Sequence, residues 1–253
     1  MDPKNSMVDE AHLLSGMERA GVVLRQYRLP ILTSSLVLLT MAVTVGIVAW
    51  LDQRHAEQAM ILEQQATRLY LDRPTDQLQQ ADENLKKAIA LYQQSLDQYP
   101  RSPTAPLALY HLANSLVQVN NLDGAIDAYQ KFIVMYGGHK TLLSLVYQRL
   151  GYAYLLKNDV EQARKAFSSA LDMPESLNKD QLLFELGKIE ESQSRPEGAL
   201  ARYQELIKAH PNSPFTGEAA VRTKALEVKK TQDGSGTGTS NTVPAQSGGA
   251  ASR

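Results

Sequence analysis

The stretch YQRLGYAYLLKNDVEQARKAF, residues 147–167, decides the fold. Leu150, Gly151 and Tyr154 share one face of a helix. Ala163 and Phe167 share a face of a second, with Ala170 and Leu171 continuing it, and Lys157-Asn158-Asp159 is the turn between them. The second-helix spacing recurs as Ala88 with Tyr92, Ser95 and Leu96, as Ala125 with Tyr129, Phe132 and Ile133, and as Ala199 with Tyr203, Leu206 and Ile207. Successive alanines are 37, 38 and 36 residues apart. A Leu-small pair precedes each of the last three: Leu112-Ala113, Leu150-Gly151 and Leu186-Gly187. Pro100 and Pro211 each fall twelve residues after an alanine. A helix–turn–helix unit at a fixed period is a repeat array. The small residues allow close helix approach, so Ala163 is expected to face Gly151. Tyr92, Tyr129, Tyr154, Phe167 and Tyr203 are then a continuous core, not an aromatic pocket.

Outward from this array, the composition changes at both ends. Leu29 to Leu51 is a run of 23 residues without a charge, with Trp50 near its end. At about 1.5 Å per residue it is long enough to cross a bilayer, and too long for a cleaved signal core. Arg25 and Arg28 border it most closely, which favours a cytoplasmic N-terminus. Thr231 opens a Gly/Ser/Thr-rich stretch in which Gly234–Gly238 lacks the strand and helix of a phosphate loop. The expected organisation is therefore a polar leader (1–28), a transmembrane helix (29–51), a repeat domain (52–230) and a disordered tail (231–253). The fold class is all-α: one membrane helix, then an α-solenoid of about four helix pairs. The leading helix of the first pair is expected at 55–71, with Leu62, Ala66 and Leu69 inward, and a capping helix at 213–230. KFIVMYG, residues 131–137, is β-rich alone but keeps the helical spacing of Ala125, Tyr129, Phe132 and Tyr136. YPRSPTAPLA (99–108) and HPNSPFTGEA (210–219) share Pro-x-Ser-Pro, which places Ser102 and Ser213 as N-caps with Pro103 and Pro214 in first position.

The pattern Tyr147-x2-Leu150-Gly151-x2-Tyr154…Ala163-x3-Phe167-x2-Ala170 resembles the tetratricopeptide repeat (TPR) family. It departs in exceeding that family's 34-residue period and in placing Glu190 where the other repeat has Tyr154. A retained anchor followed by such repeats looks like membrane-anchored bacterial envelope TPR proteins, of the ancillary SecYEG translocon subunit and Tol–Pal-associated division coordinator types. Outer-membrane assembly lipoproteins share the Pro-x-Ser-Pro junction but need a lipidated cysteine, and the sequence has none. The resemblance implies inner-membrane localisation with the repeats in the periplasm.

Nothing in the sequence points to catalysis. His12, His55, His111, His139 and His210 are scattered, and Glu190 and Glu191 point to different sides of their helix. No enzyme, cofactor, metal or small-molecule substrate is expected. A formal charge of −1 gives no basic face for nucleic acid. Ala42-x3-Gly46 is a small-residue pair that could bring two anchors together. In the resembled family the first helices line a concave surface that binds partner segments. Counting from the alanines, the inward positions are Tyr110 and Asn114, Gln148 and Tyr152, then Phe184 and Lys188. Tyr110 and Gln148 stand where carboxylate-clamp repeats carry lysine, so capture of a chaperone C-terminus is not expected. The function expected is a non-enzymatic scaffold or chaperone-like module that binds protein partners in the envelope. The alternatives are a non-catalytic subunit of an envelope enzyme, in cell-wall or cytochrome assembly, and a cytoplasm-facing scaffold.

Overall fold

A computed structural model describes residues 28–72, 74 and 76–235; the expected leader, but for its last residue, and most of the expected tail lie outside the described residues. The described residues form α1 (Arg28–Leu71), α2 (Leu78–Gln98), α3 (Ala105–Gln118), α4 (Leu122–Tyr136), α5 (Lys140–Leu156), α6 (Val160–Leu171), α7 (Lys179–Ser192), α8 (Pro196–Ala209) and α9 (Thr216–Ser235). No strand occurs among them. Each helix packs chiefly on its neighbours in the chain, so α1–α2, α3–α4, α5–α6 and α7–α8 stack as pairs and α9 covers the end. This is the quasi-linear packing of a solenoid.

The registering alanines Ala88, Ala125, Ala163 and Ala199 are fully buried, as are the aromatics four residues later. The nearest neighbour of Gly151 is not Ala163, as expected, but the ring of Phe167: a Cβ at Gly151 would lie 2.6 Å from it. Gly187 meets Tyr203 in the same manner. Each ring is therefore seated on the backbone of the preceding helix.

The turns inside the pairs repeat too. Asn120, Asn158 and Ser194 have φ of 58°, 59° and 56°, the left-handed region. The amides that follow bond back to the helix just ended: Asn121 to the Leu116 carbonyl, Asp159 to Tyr154 and Arg195 to Glu190, at 2.9 Å each. This closing motif needs one left-handed residue, which asparagine adopts more readily than other non-glycine residues. The next helix then starts on a cap where one is present: Asn121 accepts from the Gly124 amide and Asp159 from that of Gln162.

Three expected boundaries differ. Ser102 and Ser213 do not cap helices. Each carbonyl instead accepts from the amide three residues on, Ala105 and Thr216 respectively, so a tight turn precedes α3 and α9. The terminal helix begins at Thr216 and runs to Ser235, five residues into the expected tail. The leading helix of the first pair is not separate: α1 runs unbroken from the apolar run into the repeats, 44 residues in all. By length and composition it suits a membrane crossing. Its Thr33, Ser34, Thr40 and Thr44 hydroxyls bond to carbonyls one turn back, which satisfies them without water. The Arg54 guanidinium lies 4.9 Å from the Trp50 ring centre where the apolar run ends. His55 already touches the repeats, its ring 5.6 Å from that of Tyr99.

Gly151→Ala gains about 1 kcal/mol of helix propensity but forces the Phe167 ring outward, at about 1–3 kcal/mol. The net expectation is a lower urea midpoint. Gly217→Ala, with open space around its Cβ, should leave the midpoint unchanged or raise it slightly.

Candidate functional site

The residues expected to form a groove separate into two groups. Tyr110 and Asn114 on α3 and Tyr152 on α5 line one cavity of about 320 Å³, together with Tyr70, Tyr129 and Arg149. Burial already holds Tyr129 in place, and its hydroxyl donates to Asn114 Oδ1 at 2.7 Å. That bond orients the amide, whose nitrogen remains a donor toward the cavity. Arg149 is exposed, and its guanidinium bonds to the Tyr110 hydroxyl. At the α1 end, Gln118 donates to the Tyr70 hydroxyl at 2.8 Å.

Gln148, Phe184 and Lys188 are placed otherwise. Gln148 is 6% exposed; it donates to Gln181 at 3.0 Å and accepts from Asn178 at 3.1 Å. Gln181 donates to the Tyr152 hydroxyl at 2.8 Å, which donates to Glu185 at 3.3 Å. Glu185 in turn holds Lys188 at 2.7 Å. These groups make a continuous polar chain joining α5 to α7, and they satisfy one another. Burial, then the neighbouring Glu185 carboxylate, pushes the Tyr152 phenol up to about 12. Tyr152 is therefore a neutral hydroxyl at any ordinary pH.

The expectation that Phe184 is an open groove ring is corrected. It is 5% exposed, stacked 5.2 Å from Phe215 and 5.9 Å from Tyr203. Phe215 arrives from the turn before α9, a segment that position counting within one repeat does not consider. Gln148 is likewise buried and committed to Gln181 and Asn178. Counting did not select Arg149, although it lies three residues before Tyr152 and so shares its face.

His111 also lines the cavity, its ring 5.7 Å from Tyr70, 5.8 Å from Tyr92 and 5.6 Å from Tyr110. Burial lowers its pKa, while the buried Glu63 carboxylate pulls the other way. Among the described residues no three His, Asp or Glu side chains converge to hold a metal. The site has donors, phenols and one cation.

Residues 63–230 match the model of the YfiO family, described as outer membrane lipoproteins. The chain belongs to that family. The match begins within the repeat portion of α1 and runs through every later helix into α9. Similar solved structures include a tetratricopeptide repeat protein from Parabacteroides merdae at 14% identity and TM-score 0.52, covering 67% of this chain and 62% of that one. MamA is similar at 18% identity and TM-score 0.45, covering 64% and 98%. YrrB, a TPR protein with an unusual peptide-binding site, is similar at 17% and 0.47, covering 60% and 72%. These likenesses concern fold; the first places the chain among TPR α-solenoids. No curated protein matches the sequence.

His111 gives the site a pH signature. Its folded pKa is depressed, so the unfolded chain binds the proton more readily. The stability this contributes is present above about 6.5 and is lost as pH falls below it. The slope is up to about 1.4 kcal/mol per pH unit. Urea titrations at pH 7, 6 and 5 should show this loss for the wild type and a shallower one for His111→Phe. Equal slopes would mean that the imidazole protonates in the folded state without penalty.

Proposed function

We propose that the protein is a non-catalytic scaffold of the bacterial envelope, anchored in the inner membrane by α1 and presenting its TPR solenoid to protein partners in the periplasm. The observation that carries this reading is the unbroken α1. One helix supplies both an apolar span and the first repeat helix, with Ala59 and Ala66 fully buried in the repeats. A secreted or lipid-anchored repeat domain has no use for such a helix, because its first repeat would be complete without the span. The family supports the envelope and an interaction role. Its lipoprotein description does not transfer directly, since the sequence offers no cysteine for acylation. The leader charges Arg25 and Arg28 favour a cytoplasmic N-terminus. Partner contact is assigned to the tyrosine-lined cavity and the adjoining faces of α3 and α5, where a fixed set of rings and donors is available at low entropic cost.

Topology is open to a direct measurement. Protease added to intact spheroplasts should digest the repeats and leave a membrane-embedded fragment that contains the apolar run. Protection until the inner membrane is broken would place the solenoid in the cytoplasm. A photo-crosslinker at Tyr110, exposed in living cells, should capture a protein, whereas one at the outward-facing Val134, 85% exposed, should not.

A further inference from the structure

We infer that the corner made by Tyr110, Asn114 and Arg149 receives the carboxylate of an acidic side chain on an extended partner segment. This deepens the scaffold reading and rests on it.

The charge balance of the cavity carries the inference. Its lining includes one cation, Arg149, and no carboxylate. The arginines farther along the solenoid are all neutralised: Arg164 by Glu161, Arg195 by Glu161 and Glu190, Arg202 by Glu205, and Arg222 by Glu191 and Glu218. Arg149 has phenols as its neighbours instead, with a hydrogen bond to Tyr110 and the phenols of Tyr129 and Tyr70 nearby. One bond to a neutral hydroxyl leaves most of a guanidinium's five donors unspent. Asn114 adds two more, because Tyr129 occupies its carbonyl and so turns its amide nitrogen into the unmatched half.

The polar groups between α5 and α7 offer no competing site. From Asn178 through Gln148, Gln181, Tyr152 and Glu185 to Lys188, each is paired within the fold. The unspent donors are thus concentrated in one corner, and what matches a guanidinium fork beside an amide is a planar anion with four lone pairs. The donors come from α3 and α5, the first helices of adjacent and touching pairs. Rings flank them, Tyr70 from α1 on one side and Tyr152 from α5 on the other. A chain crossing from pair to pair presents a side chain to such a corner, and the rings cover its apolar stem.

The test uses the full chain in detergent micelles and two pools of fluorescent heptapeptides, N-acetylated and C-amidated. Both pools have Ala, Leu and Tyr at the flanking positions; one carries a central Glu and the other a central Gln. Fluorescence anisotropy should show the Glu pool binding about tenfold tighter or more, with the preference shrinking as salt rises. Arg149→Gln should erase the preference, Arg149→Lys should keep part of it, and both should melt like the wild type because Arg149 is exposed. Equal binding of the pools overturns the inference, as does a preference that survives Arg149→Gln. So does binding that appears only when the peptides carry a free C-terminal carboxylate. If neither pool binds, the inference fails while the scaffold reading stands or falls on the crosslinking at Tyr110.

Discussion

The solenoid depends on one contact made repeatedly: an aromatic ring pressed against a position on the previous helix where a side chain is nearly or wholly missing. Phe167 over Gly151 and Tyr203 over Gly187 show it directly. Ring and backbone meet with no methyl group between them, so interhelix distance is set by the thickness of an aromatic ring. Because the contact joins two helices of one pair, each pair carries its own spacing rule. Neighbouring pairs then need only stack, and the alanine at each register point is buried completely in doing so.

The tyrosines among these rings do a second job. Phe167 ends in hydrocarbon, but Tyr129 and Tyr203 reach through the core to polar groups on the first-helix side, Asn114 and Glu191. Burial raises both phenols well above their ordinary range, so they are fixed as neutral donors. In the second pair this fixes the amide that faces the cavity. In the fourth the phenol donates to Glu191, which also receives Arg222 from α9. The same core position thus orients a cavity-facing amide in one repeat and supports the docking of the terminal helix in another.

The repeats were legible because small and aromatic residues recur at a period that no single-helix pattern produces. What escaped the sequence has physical reasons. The expected membrane span stops at Leu51, before Asp52, since a charge ends a membrane span; it does not end a helix, and residues 52–71 contain no proline or glycine. Ser102 and Ser213 looked like caps, yet the Ser-Pro step makes one more tight turn before helix geometry begins. Phe184 and Gln148 take groove positions by counting alone, but burial depends on what covers a position, and their cover comes from Phe215 and from Asn178 and Gln181. Arg149 was passed over because a count of alternate turns samples a line, whereas a helix face is a broad stripe. Three of the six groove residues, Tyr110, Asn114 and Tyr152, do meet in one cavity; their role in binding is the proposal made above.

The continuity of α1 has a mechanical meaning. Between Leu51, where the apolar run stops, and His55, where the repeats are first touched, lie three residues of regular helix, about 6 Å from one end to the other. A flexible leash would let the solenoid sweep a hemisphere and greet partners from any side. In the anchored state proposed above, a mast this short and stiff would let it tilt and spin only as its stem tilts and spins in the bilayer. The proposed recognition corner would then patrol a thin layer at nearly constant height and fixed attitude. Partners would be sorted by how far from the bilayer they hold their own binding segment before chemistry is consulted at all.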